Sequence, residues 1–262
     1  MEQGTVINGT AEIREKPDSN SPVSDEVLHG MTVYVGGGEE NGFYCAETFY
    51  GYSGYIRKEH ISFEPFEPDR MLTARFADIL TEPGIKSNIV MTLPKGSFLK
   101  YISESKNNFT KVMAANGVAG FLINGSTDAM PDFGGVTDES VFRGNVVKAA
   151  LGYLGTPYRW GGRSTLGIDC SGLCHMAYMR NGVIICRDAV ITDGFPVRRI
   201  KKSPGRGDLV FFAGHVAMYI GGGKIIHSSL ANNGVYINSL NPGDAGYKRE
   251  LAESILFFGS IF

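Results

Sequence analysis

The chain has 262 residues, of which 43% are hydrophobic and 20% charged, with a formal net charge of −2 and a pI near 6.2. That balance excludes the basic footprint of a nucleic-acid-binding protein, and no run approaches the ~20 apolar residues of a membrane span. The length suits two or three small domains, and the four cysteines, at 45, 170, 174 and 186, show no paired framework, as expected of reduced thiols.

The start, Met1 to Asn8, lacks a positive region followed by an apolar one, so a cytoplasmic location is the default. A periplasmic or secreted location follows only if a leader has been removed.

The first half contains an internal repeat that aligns without a gap at an offset of 66 residues. Ala11 and Ile13 match Ala77 and Ile79, Pro17 matches Pro83, Gly30 matches Gly96, and Phe43 matches Phe109. Gly51, Gly54, Tyr55 and Ile56 match Gly117, Gly120, Phe121 and Leu122. Short alternating runs such as 31–35 and 97–102, separated by Gly, Asn, Asp and Pro turns, give each copy the pattern of a small β-barrel. Gly36, Gly37 and Gly38 lack the lysine and hydroxyl of a phosphate loop and are read as a turn.

Residues 64–68 (Glu-Pro-Phe-Glu-Pro) join the two copies, and the polar stretch from Asn124 to Val136 leads out of the second. Asp138, Glu139 and Ser140 then start a helix whose apolar stripe is Val141, Val146, Val147, Ala150, Leu151 and Leu154, stopped by Gly155, Thr156 and Pro157.

A glycine-rich loop from Tyr158 runs into Asp169-Cys170-Ser171-Gly172. Asp169 is a good N-cap, and residues 170–180 read as a helix ending at Asn181-Gly182. Cys170 then holds the first helical position, where free N–H groups and the helix dipole favour a thiolate. Cys174, one turn on, is expected to face the core, and His175 to be a surface or packing residue.

Such a nucleophile needs a base. Residues 207–212, 214–220 and 224–229 read as three strands, the last two joined through Gly221-Gly222-Gly223. If the loop is those three glycines, Ile220 pairs with Lys224 and Ala217 with His227, which sets His215 and His227 diagonally on one face. His215 then takes the thiol proton and His227 orients it. A two-glycine loop would separate them. The basic run Arg198, Arg199, Lys201 and Lys202 between helix and strands is read as a solvated loop.

The motifs Pro157-Tyr158-Arg159-Trp160-Gly161-Gly162, Asp169-Cys170-Ser171-Gly172, Gly207-Asp208-Leu209-Val210-Phe211-Phe212 and Gly214-His215-Val216-Ala217-Met218-Tyr219-Ile220 resemble the NlpC/p60 cell-wall peptidases. The two repeats more weakly resemble bacterial SH3-like domains. The resemblance implies an α+β fold, with a papain-like catalytic domain at 136–262 preceded by SH3-like barrels at 1–66 and 67–130. It implies a cysteine peptidase that needs no cofactor and acts on peptidoglycan stem peptides, and a monomer is expected. The bond implied is that between γ-D-Glu and a diamino acid, diaminopimelate or lysine, in stems with a free N-terminal L-Ala.

Catalytic roles fall on Cys170, His215 and His227. Tyr158 points into the substrate site in the family, the alternative being an aromatic packed beside Trp160. Asp169 is either the cap alone or, as the matching residue is in the dipeptide-releasing members, also a contact for the substrate amine, and Ser171 is either a substrate contact or an ordinary first-turn residue. Tyr52 is matched in the repeat by Val118, so its phenol is not required by the barrel, and the residue at its position closes the substrate site in the dipeptide-releasing members. Glu26, matched by Thr92, is expected to assist it. Arg187-Asp188-Ala189 stands where the family has Arg-Asp-Ser, so one substrate-contacting hydroxyl is missing.

A zinc site made from Cys170, Cys174, His215 and His227 is disfavoured by its spacing, because structural zinc sites use ligand pairs a few residues apart. Two further readings stay open: another thiol amidase or acyltransferase on the same fold, and an inactive wall-binding protein.

Overall fold

The computed structural model describes residues 1–104 and 107–262 and divides into two compact units, Met1–Met130 and Pro131–Phe262. The first unit holds two seven-stranded antiparallel sheets. One is made of β1 (Glu2–Val6), β2 (Thr10–Arg14), β3 (Val23–Leu28), β4 (Thr32–Glu40), β5 (Phe43–Thr48), β6 (Ser53–Arg57) and β7 (Ile61–Ser62), in the spatial order 3-2-6-5-4-1-7. The other is made of β8 (Arg70–Leu72), β9 (Phe76–Leu80), β10 (Ile89–Pro94), β11 (Phe98–Glu104), β12 (Phe109–Met113), β13 (Ala119–Ile123) and β14 (Thr127–Ala129). Its order is 10-9-13-12-11-8-14, the first order with seven added to each label.

The repeat is therefore structural, and its core positions recur with it. Leu72, Ala77, Ile79, Leu93, Leu99, Val112, Ala114 and Leu122 form the second core. The residues 66 earlier, Val6, Ala11, Ile13, Val27, Val33, Ala46, Thr48 and Ile56, are all buried as well. Removing such side chains from water stabilises by roughly 1.5–3 kcal/mol for each of the larger aliphatic ones. The shared glycine is fixed by close packing: a Cβ on Gly54 would lie 2.4 Å from Ile13 Cγ2, and one on Gly120 the same 2.4 Å from Ile79 Cγ2.

Two details differ from the sequence reading. Gly37 and Gly38 form a bulge inside β4 rather than a turn, since Gly36 pairs with Cys45 and Glu39 with Tyr44 on either side of them. The segment from Asn124 is not all connector, because β14 pairs with β8.

The second unit contains α1 (Glu139–Leu151), the short pair β15 (Arg163–Ser164) and β16 (Gly167–Ile168), and α2 (Cys170–Met179). A six-stranded antiparallel sheet follows: β17 (Arg198–Ile200), β18 (Leu209–Phe212), β19 (His215–Gly221), β20 (Lys224–Ser229), β21 (Gly234–Ser239) and β22 (Phe257–Ser260), ordered 17-22-18-19-20-21. Asp138 caps α1 by accepting from Val141 N–H. The buried face of α1 is Phe142, Val146, Val147, Ala149 and Ala150, whereas Val141 and Leu154 are exposed. The true stripe includes Phe142, which packs edge-on against Tyr178 of α2, and the helix ends one turn earlier than expected.

Leu209, Phe211 and Val216 of the sheet line one small cavity together with Ser171 and Cys174 of α2. Leu251 of α3 (Arg249–Glu253) packs on Val210, Phe212, Ala217 and Ile225. The Asp of the Gly-Asp-Leu-Val motif has a structural role. Asp208 accepts from Arg143 of α1 at 2.8 Å and from Ser260 of β22 at 2.6 Å, tying helix and sheet together. The basic run is not a loop, since Arg198 and Arg199 lie on β17 and pair with Ser260 and Gly259, although both side chains are exposed.

Candidate active site

The nucleophile is set by tight loop packing in front of α2. Asp169 caps the helix, its Oδ1 accepting from Gly172 N–H at 2.6 Å. A Cβ at position 172 would lie 2.4 Å from Gly162 O, so only glycine lets the loop close over the helix start. Ser228 Oγ of β20 donates to Ile168 O at 2.6 Å and fastens the loop to the strand that carries His227. Cys170 is buried there, 7% exposed.

Asp169 is not a bare carboxylate. Arg187 forms a two-pronged pair with it, with both Nη–Oδ distances 3.0 Å, while Gly161 N–H donates to Oδ2 at 2.9 Å and Ser171 Oγ to Oδ1 at 3.2 Å. Arg187 also donates to Ser171 Oγ at 2.8 Å and to Gly161 O at 2.9 Å. A buried bidentate pair with further hydrogen bonds fixes both the loop and the first turn of α2. Oδ1 holds three donors and Oδ2 two, so an incoming ammonium N–H has to share Oδ2 with Gly161 N–H and Arg187.

The histidines meet as the diagonal register requires. His215 Nε2 lies 2.9 Å from His227 Nδ1, with the rings steeply inclined at 76°. The route to that register differs from the expected one. Gly221, not Ile220, pairs with Lys224, so the turn spans only Gly222-Gly223, and a bulge at Ile220 then restores Met218 opposite Ile226. His227 Nε2 faces Asn238 Oδ1 at 2.9 Å. The orientation of the Asn238 amide is fixed because Nδ2 donates to Gly246 O at 3.1 Å and Oδ1 accepts from Asn232 Nδ2 at 2.8 Å. Arg187 and Asn238 were not singled out as site residues by the sequence. The available signal for Asn238 is a polar residue on the buried side of a strand next to the His227 strand.

The electrostatics differ from a ready-made thiolate–imidazolium pair. Burial pushes the Cys170 thiol up and the Asp169 charge adds to it, while the Val216 and Ser171 N–H groups and Arg187 pull the other way without reversing the shift. Burial, with repulsion from His227, lowers His215 to about 4 against a smaller upward pull from Asp169. His227 is lowered mainly by burial. These shifts favour the neutral thiol and the neutral imidazoles, desolvation outweighing the helix start. Burial pushes the half-buried Tyr158 phenol up, followed by the Cys170 and Asp169 charges. Trp160 is exposed.

Of the remaining candidates, Cys174 faces the core, and His175 is fully buried within α2 rather than at the surface. Tyr52 and Glu26 belong to the first unit. Tyr52 sits in the β5–β6 turn, its N–H donating to Thr48 Oγ1 at 3.0 Å and its hydroxyl to Ser24 O at 3.5 Å. Glu26 is buried on β3, opposite Glu12. All four cysteines are free thiols.

A buried thiol at a helix start, beside a strand pair that couples two imidazoles, is the equipment of a cysteine peptidase. The NlpC/P60 family matches residues 155–251. The chain is 42% identical over 269 residues to dipeptidyl-peptidase 6 of Lysinibacillus sphaericus, covering 98% of each. It is 29% identical over 221 residues to a gamma-D-glutamyl-L-lysine dipeptidyl-peptidase of Bacillus subtilis, covering 77% of this chain and 67% of that one. The crystal structure of an NlpC/P60 family protein from Bacillus cereus shares the fold, with a TM-score of 0.81 over 98% of both chains at 22% identity. The chain belongs to the NlpC/P60 family and is a cysteine peptidase.

Proposed function

We propose that this enzyme hydrolyses the bond between γ-D-Glu and a diamino acid in peptidoglycan stem peptides, releasing L-Ala-γ-D-Glu. The observation that carries this reading is the match along 98% of both chains to a dipeptidyl-peptidase, which includes the two repeated sheets as well as the catalytic unit. In this reading the unit at 136–262 is a papain-like domain, and 1–66 and 67–130 are two SH3-like barrels.

Cys170 Sγ attacks the γ-carbonyl carbon while its proton passes to His215 Nδ1. The tetrahedral oxyanion is held by the Cys170 backbone N–H, one of the first-turn donors without an intrahelical acceptor, with the Tyr158 phenol beside it. The C–N bond then breaks and the proton moves from His215 to the leaving amine. Water, deprotonated by the same imidazole, hydrolyses the thioester to a γ-carboxylate and a thiol.

Asp169 Oδ2 accepts one N–H of the free L-Ala ammonium, at a strength reduced by sharing its charge with Arg187, and Ser171 supports that carboxylate. The assignment of Tyr52 and Glu26 to amine recognition comes from the sequence, from the family resemblance for Tyr52 and from the repeat comparison for both.

The test weighs the products from L-Ala-γ-D-Glu-diaminopimelate and from its N-acetylated form, with wild type and Cys170→Ala. Wild type is expected to release L-Ala-γ-D-Glu from the free peptide only, and Cys170→Ala neither product. Equal rates on the acetylated peptide would remove the dipeptidyl-peptidase assignment, and turnover by Cys170→Ala would remove the mechanism.

A further inference from the structure

The peptide half that leaves takes its proton from His215, so it lies on the His215 side of the attacked carbonyl. His215 also lines a cavity of about 580 Å³ in the second unit, together with Phe212, His227, Asn238, Lys248 and Glu250, among others. Both imidazoles form part of its wall. Its other features are an apolar floor from Phe212 and Leu251 and two opposite charges, Lys248 and Glu250, carried on the start of α3. Among the described residues neither charged side chain forms an ion pair or a side-chain hydrogen bond, although their neighbour Arg249 is paired with Glu253. A cation and an anion two residues apart, both unpaired beside one cavity, suit a ligand that is itself a zwitterion on an aliphatic stem.

We propose that this cavity receives the side chain of the leaving diamino acid, and that Lys248 and Glu250 read its far end. The inference rests on the stem-peptide reading above and adds to it the selection of the diamino acid. Diaminopimelate ends in a carbon bearing both a carboxylate and an ammonium, so Lys248 meets the first and Glu250 the second, while three methylenes lie over Phe212 and Leu251. Lysine ends in an ammonium alone. It satisfies Glu250 but leaves Lys248 facing a like charge with no carboxylate between them. The cavity therefore favours diaminopimelate over lysine, and the distinction resides in one side chain, Lys248.

The experiment measures kcat/KM of the full-length enzyme on L-Ala-γ-D-Glu-meso-diaminopimelate and on L-Ala-γ-D-Glu-L-Lys. Wild type is expected to prefer the first. Lys248→Ala should cut that preference about fivefold, the scale of one partly exposed charge-assisted contact, and Lys248→Glu should turn it toward lysine. Glu250→Gln should lower both rates together, because both side chains bring an ammonium. A preference unchanged in Lys248→Ala and Lys248→Glu overturns the subsite while leaving the reaction intact. Failure of wild type to cleave either peptide overturns the reaction, and the subsite with it.

Discussion

His215 Nε2 lies 2.9 Å from His227 Nδ1, and this contact has only one proton to share. Asn238 settles which ring owns it. Its Oδ1 can only accept, so His227 Nε2 carries the proton between them, and the neutral His227 ring presents a lone pair at Nδ1. His215 must then donate from Nε2, which leaves its Nδ1 unprotonated, the form that takes a proton from a thiol. Asn232 Nδ2, 3.4 Å from His227 Nε2, is the more distant neighbour of that ring nitrogen.

Asn238 is accordingly a positioning residue two rings removed from the thiol. Asn238→Asp keeps an acceptor in place and should retain most of kcat, whereas Asn238→Leu frees the His227 tautomer and should lower kcat at least tenfold with little change in KM. Nitrogen-15 shifts of His215 and His227 would report the tautomers directly. Unchanged shifts and rates in Asn238→Leu would show that the amide only fills space.

The pH profile follows from the direction of the His215 shift. Its protonated form is disfavoured by burial and by His227, so its pKa falls to about 4, and the base-competent neutral ring persists as pH drops until that value is reached. The acid limb of kcat/KM is expected near pH 4, not near the ordinary histidine value of 6.5. His227→Asn removes the second-largest cause, so the surviving activity should show its acid limb at higher pH. A wild-type limb at 6.5 would mean that His215 is far better solvated than its position implies.

The catalytic unit was legible in the sequence because its chemistry is local. A cap, a thiol and a glycine within four residues, and two histidines on a hairpin, constrain one another whatever the rest of the chain does. The register shows the limit of that reasoning. Counting glycines gave the correct facing of His215 and His227 through an incorrect turn, since a bulge at Ile220 compensates for a loop one residue shorter. Arg187 and Asn238 were missed for a related reason: each acts through partners distant in sequence, Asp169 and His227, and neither sits in a periodic pattern. Val141 was misplaced because helix spacing fits either of two adjacent faces, and the packing of Phe142 against Tyr178 decides between them.

The repeat predicts matched sensitivities. A Cβ added at Gly54 or Gly120 would lie 2.4 Å from an isoleucine methyl and 2.8 or 2.6 Å, respectively, from a strand carbonyl oxygen. Gly54→Ala and Gly120→Ala should therefore each destabilise by about 2 kcal/mol through overpacking. Gly84→Ala, where a Cβ meets nothing within 4 Å, should be near neutral. Urea midpoints measure all three. A neutral Gly120→Ala would show that strands β9 and β13 separate at little cost.

The last prediction concerns a histidine with no part in the chemistry. His29 follows β3 in the first sheet, and its ring ties the two repeats together: Ala115 N–H donates to Nε2 at 2.9 Å, so the proton sits on Nδ1 and is donated to Ile7 O at 2.9 Å. A doubly protonated ring cannot accept from Ala115. Burial lowers the pKa to about 4 despite opposing backbone hydrogen bonds, below the ordinary 6.5 of an unfolded chain. The sign follows. With the folded value depressed, the contribution is complete above pH 6.5 and is lost as pH falls from there through about 4. Between pH 7 and pH 5 wild type should lose about 2 kcal/mol through this residue. His29→Gln offers Oε1 to Ala115 and Nε2–H to Ile7 without titrating, so it should lose correspondingly less over the same interval. Urea unfolding of both proteins at pH 7 and pH 5 makes the comparison, and identical losses would show that the His29 ring can charge in place without breaking the bond to Ala115.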